Sequence, residues 1–246
     1  MEWVERFYAR QHSWLASLGM DESEIEGERM AAVLRVCPPP ARVLELGAGT
    51  GADAAALANA GYEVVAVELI PEAALRAGAR RVDGPGSLSV VPADLYTADI
   101  GGPFGVVVYW DGFGLGSDAD QRRLLARVRD WLDPDGAALV EAYTPWYWAE
   151  TAGREMVFGP VRRRYGIDGA GCRMLDTWWE EGDEASAVTQ SLRCYSPADL
   201  ALLTEPVGLR VERVEPTGRY DAETGAFDQE APLHRAMGFV TTLRRG

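Results

Sequence analysis

At 246 residues, 47% of them hydrophobic, the chain has the length of one large α/β domain with additions and enough apolar side chains to bury a continuous core. Its formal net charge of −14 repels phosphate backbones, which argues against a nucleic-acid partner, and all 24 basic residues are arginine, which excludes lysine Schiff bases and a Walker lysine. No run of eighteen apolar residues marks a membrane span, and Glu2, Glu5 and Arg6 stand where a signal peptide would place its basic start, so no membrane partner and a cytoplasmic location are expected.

Trp3–Leu18 carries Val4, Phe7, Tyr8, Leu15 and Leu18 at helical spacing, with Gly19 as the stop. On this helix Tyr8 and Trp14 read as core and His12 as a surface histidine. Asp21 and Glu24, three residues apart, suit a capping box for a second helix, which Pro38-Pro39-Pro40 ends. From Arg42 onward strands and helices alternate. The strands are Arg42–Leu46, Tyr62–Val67, Leu88–Val91, Val106–Trp110 and Ala137–Tyr143. Helices fall at Ala52–Ala60 and Pro71–Arg81, and a third, bearing Leu124, Leu125, Val128, Trp131 and Leu132, precedes a turn at Asp133-Pro134-Asp135-Gly136. This alternation predicts a parallel sheet wound on both faces.

The rhythm breaks after Tyr143. Trp146-Tyr147-Trp148 is followed by strand-like runs at Val161–Tyr165, Arg173–Trp179 and Val188–Tyr195, which predict an antiparallel insertion. Within it Arg162-Arg163-Arg164 reads as a solvated or ion-paired face. A last helix opens at Ser196-Pro197-Ala198-Asp199, with serine as N-cap, and strands Leu209–Val214 and Gly238–Leu243 close the sheet. Residues 1–246 are therefore one domain: a helical cover (1–40), a core (41–145), the insertion (146–195), and a C-terminal helix with closing strands (196–246). Cys37, Cys172 and Cys194 form no C-x-x-C pair, and with only two histidines no metal site is expected.

The strongest chemical signal is Glu45-Leu46-Gly47-Ala48-Gly49-Thr50-Gly51, between the first strand and its helix. Glycines there let a ligand approach the backbone and permit positive φ. Glu68, twenty-one residues after Gly47, ends the second strand, where an acid can hold both ribose hydroxyls of a nucleoside. Gly47-x-Gly49-x-x-Ala52 also satisfies the dinucleotide fingerprint, so an NAD-dependent oxidoreductase is an alternative. Against it, Glu45 needs a cationic or N–H partner and is awkward beside a pyrophosphate. Asp94, in Pro92-Ala93-Asp94-Leu95-Tyr96, can read an adenine edge. No dehydrogenase-sized second domain is left over.

Residues 41–145 resemble the core of class I S-adenosylmethionine-dependent methyltransferases, through Glu45-x-Gly47-x-Gly49-x-Gly51, Glu68, Asp94 and the Phe104–Phe113 segment. The whole chain is similar to bacterial small-molecule methyltransferases. The resemblance implies a doubly wound, Rossmann-like α/β fold with seven strands in the order 3-2-1-4-5-7-6, strand 7 antiparallel, preceded by the N-terminal helices and carrying the antiparallel insertion. It implies S-adenosylmethionine as cofactor. Gly47, Ala48, Gly49 and Gly51 would pack against it, with Glu45 on its methionine tail and Glu68 and Leu69 at the ribose. Asp94, Leu95 and Tyr96 would border the adenine, and Trp110 the sulfonium. Methylation of an oxygen or nitrogen of a small molecule is expected, with Asp111, His12 and His234 as candidate bases. His234 lies in the long 215–235 connection, a loop length that often serves function. A scaffold that binds the cofactor without methyl transfer is a further alternative. The insertion is expected to wall the acceptor pocket or to serve as a ribbon for a homodimer.

Overall fold

The computed structural model describes residues 2–20, 27–221, 224 and 226–246. The capping box at Asp21 and Glu24 lies outside them.

Two helices open the chain, α1 (Glu2–Ser17) and α2 (Gly27–Val36). The alternating region then forms β1 (Arg42–Leu46), α3 (Ala52–Asn59), β2 (Glu63–Glu68), α4 (Pro71–Gly78), β3 (Ser87–Pro92), β4 (Phe104–Tyr109), α5 (Asp118–Trp131) and β5 (Leu132–Tyr143). The insertion supplies a short α6 (Pro145–Glu150) and strands β6 (Glu155–Phe158), β7 (Val161–Asp168), β8 (Arg173–Glu180) and β9 (Asp183–Arg193). After it come α7 (Pro197–Thr204), β10 (Leu209–Pro216), the two-residue strands β11 (Arg219–Tyr220) and β12 (Phe227–Asp228), and β13 (Gly238–Arg245).

The main sheet runs β3-β2-β1-β4-β5-β13-β10, the expected order, with β13 antiparallel to both neighbours. The central strands read as continuous apolar runs because helices cover both faces. On one side Leu44, Leu46, Val107 and Val140 pack against α5 and α7; on the other Val43, Val64, Val106 and Val108 pack against α2 and α3. Ser196 and Asp199 form the reciprocal capping box of α7, and Ser117 and Asp120 form another at α5.

Two sequence expectations change. Asp133-Pro134-Asp135-Gly136 is not a free turn but a bulge within β5: Leu132 pairs with Phe104 and Ala137 with Val106, so four residues of β5 lie opposite the one residue, Gly105, between those partners. The insertion has four strands in the order β6-β7-β8-β9; β6 is short and at the edge, with too little alternation to announce itself.

The insertion sheet packs on α1 and α6. Phe7 and Trp14 of α1 meet Val161, Trp178 and Val188, with Trp14 stacked 6.4 Å from Trp178. Tyr147 and Trp148 of α6 meet Tyr165, Met174 and Leu192. The arginine run is ion-paired: Arg162 with Glu181, Arg163 with the buried Asp176 through two 2.8 Å bonds, and Arg164 with Glu155 at 3.8 Å. Among the described residues no helix is long and apolar enough to cross a membrane.

Candidate active site

The carboxyl ends of β1, β2, β3 and β4 open into a cavity of about 320 Å³, roofed by one face of α1 (Val4, Tyr8, Gln11, His12, Leu15). Ligands in open α/β sheets bind at this edge. Of the residues singled out above, Glu45, Gly47, Ala48, Gly49, Glu68, Leu69, Asp94, Leu95, Tyr96, Trp110, Asp111 and His12 line it.

The glycine turn leaves β1 with Gly47 at φ +66° and Gly49 at φ +55°. Its shape is fixed by Glu68, whose Oε2 accepts from the Gly49 amide and whose Oε1 accepts from the Ile70 amide, both at 2.7 Å. Burial raises the Glu68 pKa, and these amides pull it back. Tyr109 lies under the turn: a Cβ on Gly47 would stand 3.3 Å from its ring.

Glu45 is different. It is 3% exposed, lines the cavity, and its Oε2 has no hydrogen-bond partner among the described residues. Burial above all, then repulsion from Asp53, lifts its pKa well above the usual carboxylate range. A buried acid with an unfilled acceptor oxygen at a ligand-sized cavity calls for a cationic or N–H donor. The α-amino group of S-adenosylmethionine is such a donor, so the residues present fit that cofactor.

Sequence reasoning missed Arg29. From α2 its Nη1 donates to Asp53 at 3.1 Å, and its Nη2 donates to Asp111 at 2.5 Å and to Glu141 at 2.9 Å. Its guanidinium carbon sits 5.2 Å from the Trp110 ring. Burial works against its charge, but Asp111, Glu141 and Asp53 outweigh that and keep it protonated. These partners are 24, 82 and 112 residues away in sequence, so no local pattern could announce the cluster. Asp111 also accepts from the Tyr143 hydroxyl at 3.2 Å, and its backbone takes φ +54°, a left-handed conformation unusual outside glycine.

Four placements differ from expectation. Gly51 does not line the cavity: it is the left-handed N-cap of α3, and a Cβ there would come within 2.7 Å of Ala77 on α4. Its lack of a side chain is what the approach of α4 requires. His234 is exposed and outside the cavity lining, because the 215–235 connection turns through the β11–β12 hairpin and leaves that side chain on the surface. His12 is half-buried and turned to the cavity: it stands over the glycine turn, its ring 3.6 Å from where a Gly49 Cβ would be, with its pKa lowered by burial and by Arg76. Tyr8 likewise lines the cavity, its hydroxyl accepting from Gln190 at 2.6 Å, whereas Trp14 and Trp148 are core.

A family described as a methyltransferase domain matches residues 22–214. A crystal structure of an S-adenosylmethionine-dependent methyltransferase from Clostridium acetobutylicum is similar, with TM-score 0.72 and 12% identity, covering 98% of this chain and 99% of that one. The S-adenosylmethionine-bound structure of CalS10, an amino pentose methyltransferase from Micromonospora echinaspora, has TM-score 0.62 and 21% identity, covering 94% of this chain and 96% of that one. A curated relative, protein-L-isoaspartate O-methyltransferase of Chlorobium limicola, is 55% identical over 40 residues; the match spans 16% of this chain and 18% of that protein's length.

Proposed function

Since the chain belongs to the methyltransferase-domain family, we propose that it is an S-adenosylmethionine-dependent enzyme that methylates an oxygen or nitrogen of a small molecule. The unfilled oxygen of Glu45 carries this reading. It suits the ammonium of a methionine tail, which favours the ionised acid, whereas the pyrophosphate of a dinucleotide brings no donor to that oxygen and opposes its ionisation. The likeness to an amino pentose methyltransferase supports a small acceptor.

When bound, S-adenosylmethionine supplies a methyl group on a sulfonium centre. The chain's own residues bind, orient and shield. Glu68, whose oxygens each accept from a backbone amide, would use its remaining acceptor capacity on the ribose hydroxyls. Asp94, Leu95 and Tyr96, which line the cavity beyond β3, would border the adenine. Tyr8, Tyr109 and Trp110 give the cavity aromatic walls that exclude water and favour a cation at their faces. Asp111, its side chain 56% exposed, presents a carboxylate at the rim that can accept a hydrogen bond or a proton from the acceptor's N–H or O–H. His12, kept neutral, stands at the glycine-turn end of the cavity. Holding two reactants in this geometry can contribute up to about 7–11 kcal/mol to the barrier reduction.

Calorimetry decides the cofactor. S-adenosylhomocysteine should bind with a Kd of about micromolar order, and NAD should give no heat. Tight NAD binding without a response to S-adenosylhomocysteine would overturn the reading. Product analysis with a methyl-labelled cofactor then identifies the acceptor.

A further inference from the structure

The connection between β4 and α5 forms one wall of the cavity through Asp111, Gly112 and Leu115. Its backbone is unusual: Asp111, Gly114 and Gly116 have φ of +54°, +109° and +78° within six residues. Such a run does not hold itself, so its carbonyls show what holds it. The Gly112 carbonyl accepts from Tyr109 at 2.8 Å, and the Leu115 carbonyl from Tyr96 at 3.1 Å and from Gln121. Gly114 and Gly116 are held from elsewhere. Their carbonyls accept from Arg173 at 3.2 and 2.7 Å, and that of Gly114 also accepts from the Arg193 amide at 2.9 Å.

We propose that Arg173, on β8 of the insertion, is a positioning residue that sets the 111–116 wall and thereby orients Asp111 at the acceptor end of the cavity. The geometry suits a guanidinium. Nε and one Nη2 bond tie it to the Ser191 hydroxyl and carbonyl at 2.8 and 2.7 Å, which leaves both tips of the planar fork for two loop carbonyls. Lysine has no such fork. Among the described residues no carboxylate lies within ion-pair distance of Arg173, so its charge-assisted bonds go to carbonyls alone. Contact between loop and insertion is so close that a Cβ on Gly114 would meet the Arg193 carbonyl oxygen at 2.4 Å. The insertion therefore acts inside the site, through backbone it holds, without lining the cavity with this side chain.

The effect on methyl transfer rests on the proposed function; the hold on the wall does not. Amide hydrogen exchange on the free protein tests the second. Arg173→Met should speed exchange within 112–116 by at least about tenfold and leave β7–β9 amides unchanged. Arg173→Lys, which keeps charge and a single donor group, should fall between Met and wild type. S-adenosylhomocysteine affinity, read by calorimetry, should fall at least about fivefold in Arg173→Met and recover in part with lysine. Arg164→Met, on the same sheet but engaged with Glu155 and Trp179 rather than with the wall, should change neither. Unchanged exchange at 112–116 in either variant overturns the proposal, as does faster exchange spread over the whole insertion or unchanged affinity in Arg173→Met. If Arg173→Met does not fold, the lysine variant alone decides on the same two readings. Failure of the wild type to bind S-adenosylhomocysteine would instead sink the methyltransferase reading, with the exchange result still interpretable.

Discussion

Glu45 and Glu68 are buried acids at the ends of adjacent parallel strands, and they differ in one respect. Glu68 has both oxygens bonded to backbone amides, whereas Glu45 keeps one oxygen unfilled. Both carboxyls are raised by burial, but only Glu45 is raised without backbone amides to offset it. A folded-state pKa above the unfolded one means that the protonated acid suits the free protein. Stability from this group is therefore complete below the ordinary glutamate pKa and is lost as pH rises through the raised value. Glu45→Gln cannot titrate, so in the free protein its advantage over wild type should grow with pH. At pH 8 we expect a gain in Tm of roughly 3 °C or more, and almost none at pH 4, read by thermal melts. Cofactor affinity should go the other way. An ammonium binds the ionised acid, so wild-type affinity for S-adenosylhomocysteine should rise with pH through that same range, while Glu45→Gln should bind at least about tenfold more weakly with a flat profile. A pH-dependent wild-type affinity that persists in Glu45→Gln would assign the titration to another group.

At the scale of elements, the parallel core was legible because its signals are local. Apolar runs bounded by glycine or proline placed β1 to β4, and the chemistry at strand ends placed Glu45, Glu68 and Asp94 at one edge. What was not legible depends on where side chains meet after folding. Arg29 acquires its role only when α2 crosses the ends of β4 and β5. His234 belongs to a connection on the right side of the sheet but is exposed and outside the cavity lining. Gly51 shares a motif with Gly47 and Gly49, and nothing in the spelling separates a ligand-facing glycine from one demanded by a neighbouring helix. The structure sets Gly47 and Gly49 at the cavity and Gly51 against Ala77. Gly51→Ala forces a left-handed Cβ into Ala77 and should destabilise the fold by about 2–4 kcal/mol, read by denaturant unfolding. Once folded, the variant should retain S-adenosylhomocysteine binding within about threefold, since Gly51 does not line the cavity. A large affinity loss without a stability loss would return Gly51 to the ligand.

Across the whole molecule, α1 joins the insertion to the cavity at the strand ends. Tyr8, Gln11, His12 and Leu15 face the cavity, while Phe7 and Trp14 face the insertion sheet. Trp178 stacks between Trp14 and Phe158 at 6.4 and 6.0 Å, with interplanar angles of 10° and 13°. Trp14 also donates to Glu180 at 2.9 Å, and Arg10 pairs with the same carboxylate. Like most helices in folded proteins, α1 takes its stability mainly from the face it buries. The insertion is thus the support on which the cavity's roof rests. A ribbon devoted to self-association would instead leave the roof independent of it. Trp178→Ala distinguishes these readings, because Trp178 is buried and does not line the cavity. Removing it should cost about 3–5 kcal/mol of local or global stability and speed amide exchange along α1. It should also weaken S-adenosylhomocysteine by at least about tenfold, although the substituted side chain is not in the site. Val157→Asp, on the exposed edge strand β6, should leave that affinity unchanged. If Trp178→Ala keeps wild-type affinity while Val157→Asp shifts the sedimentation coefficient to that of a smaller species, the roof does not depend on the insertion and the sheet serves assembly.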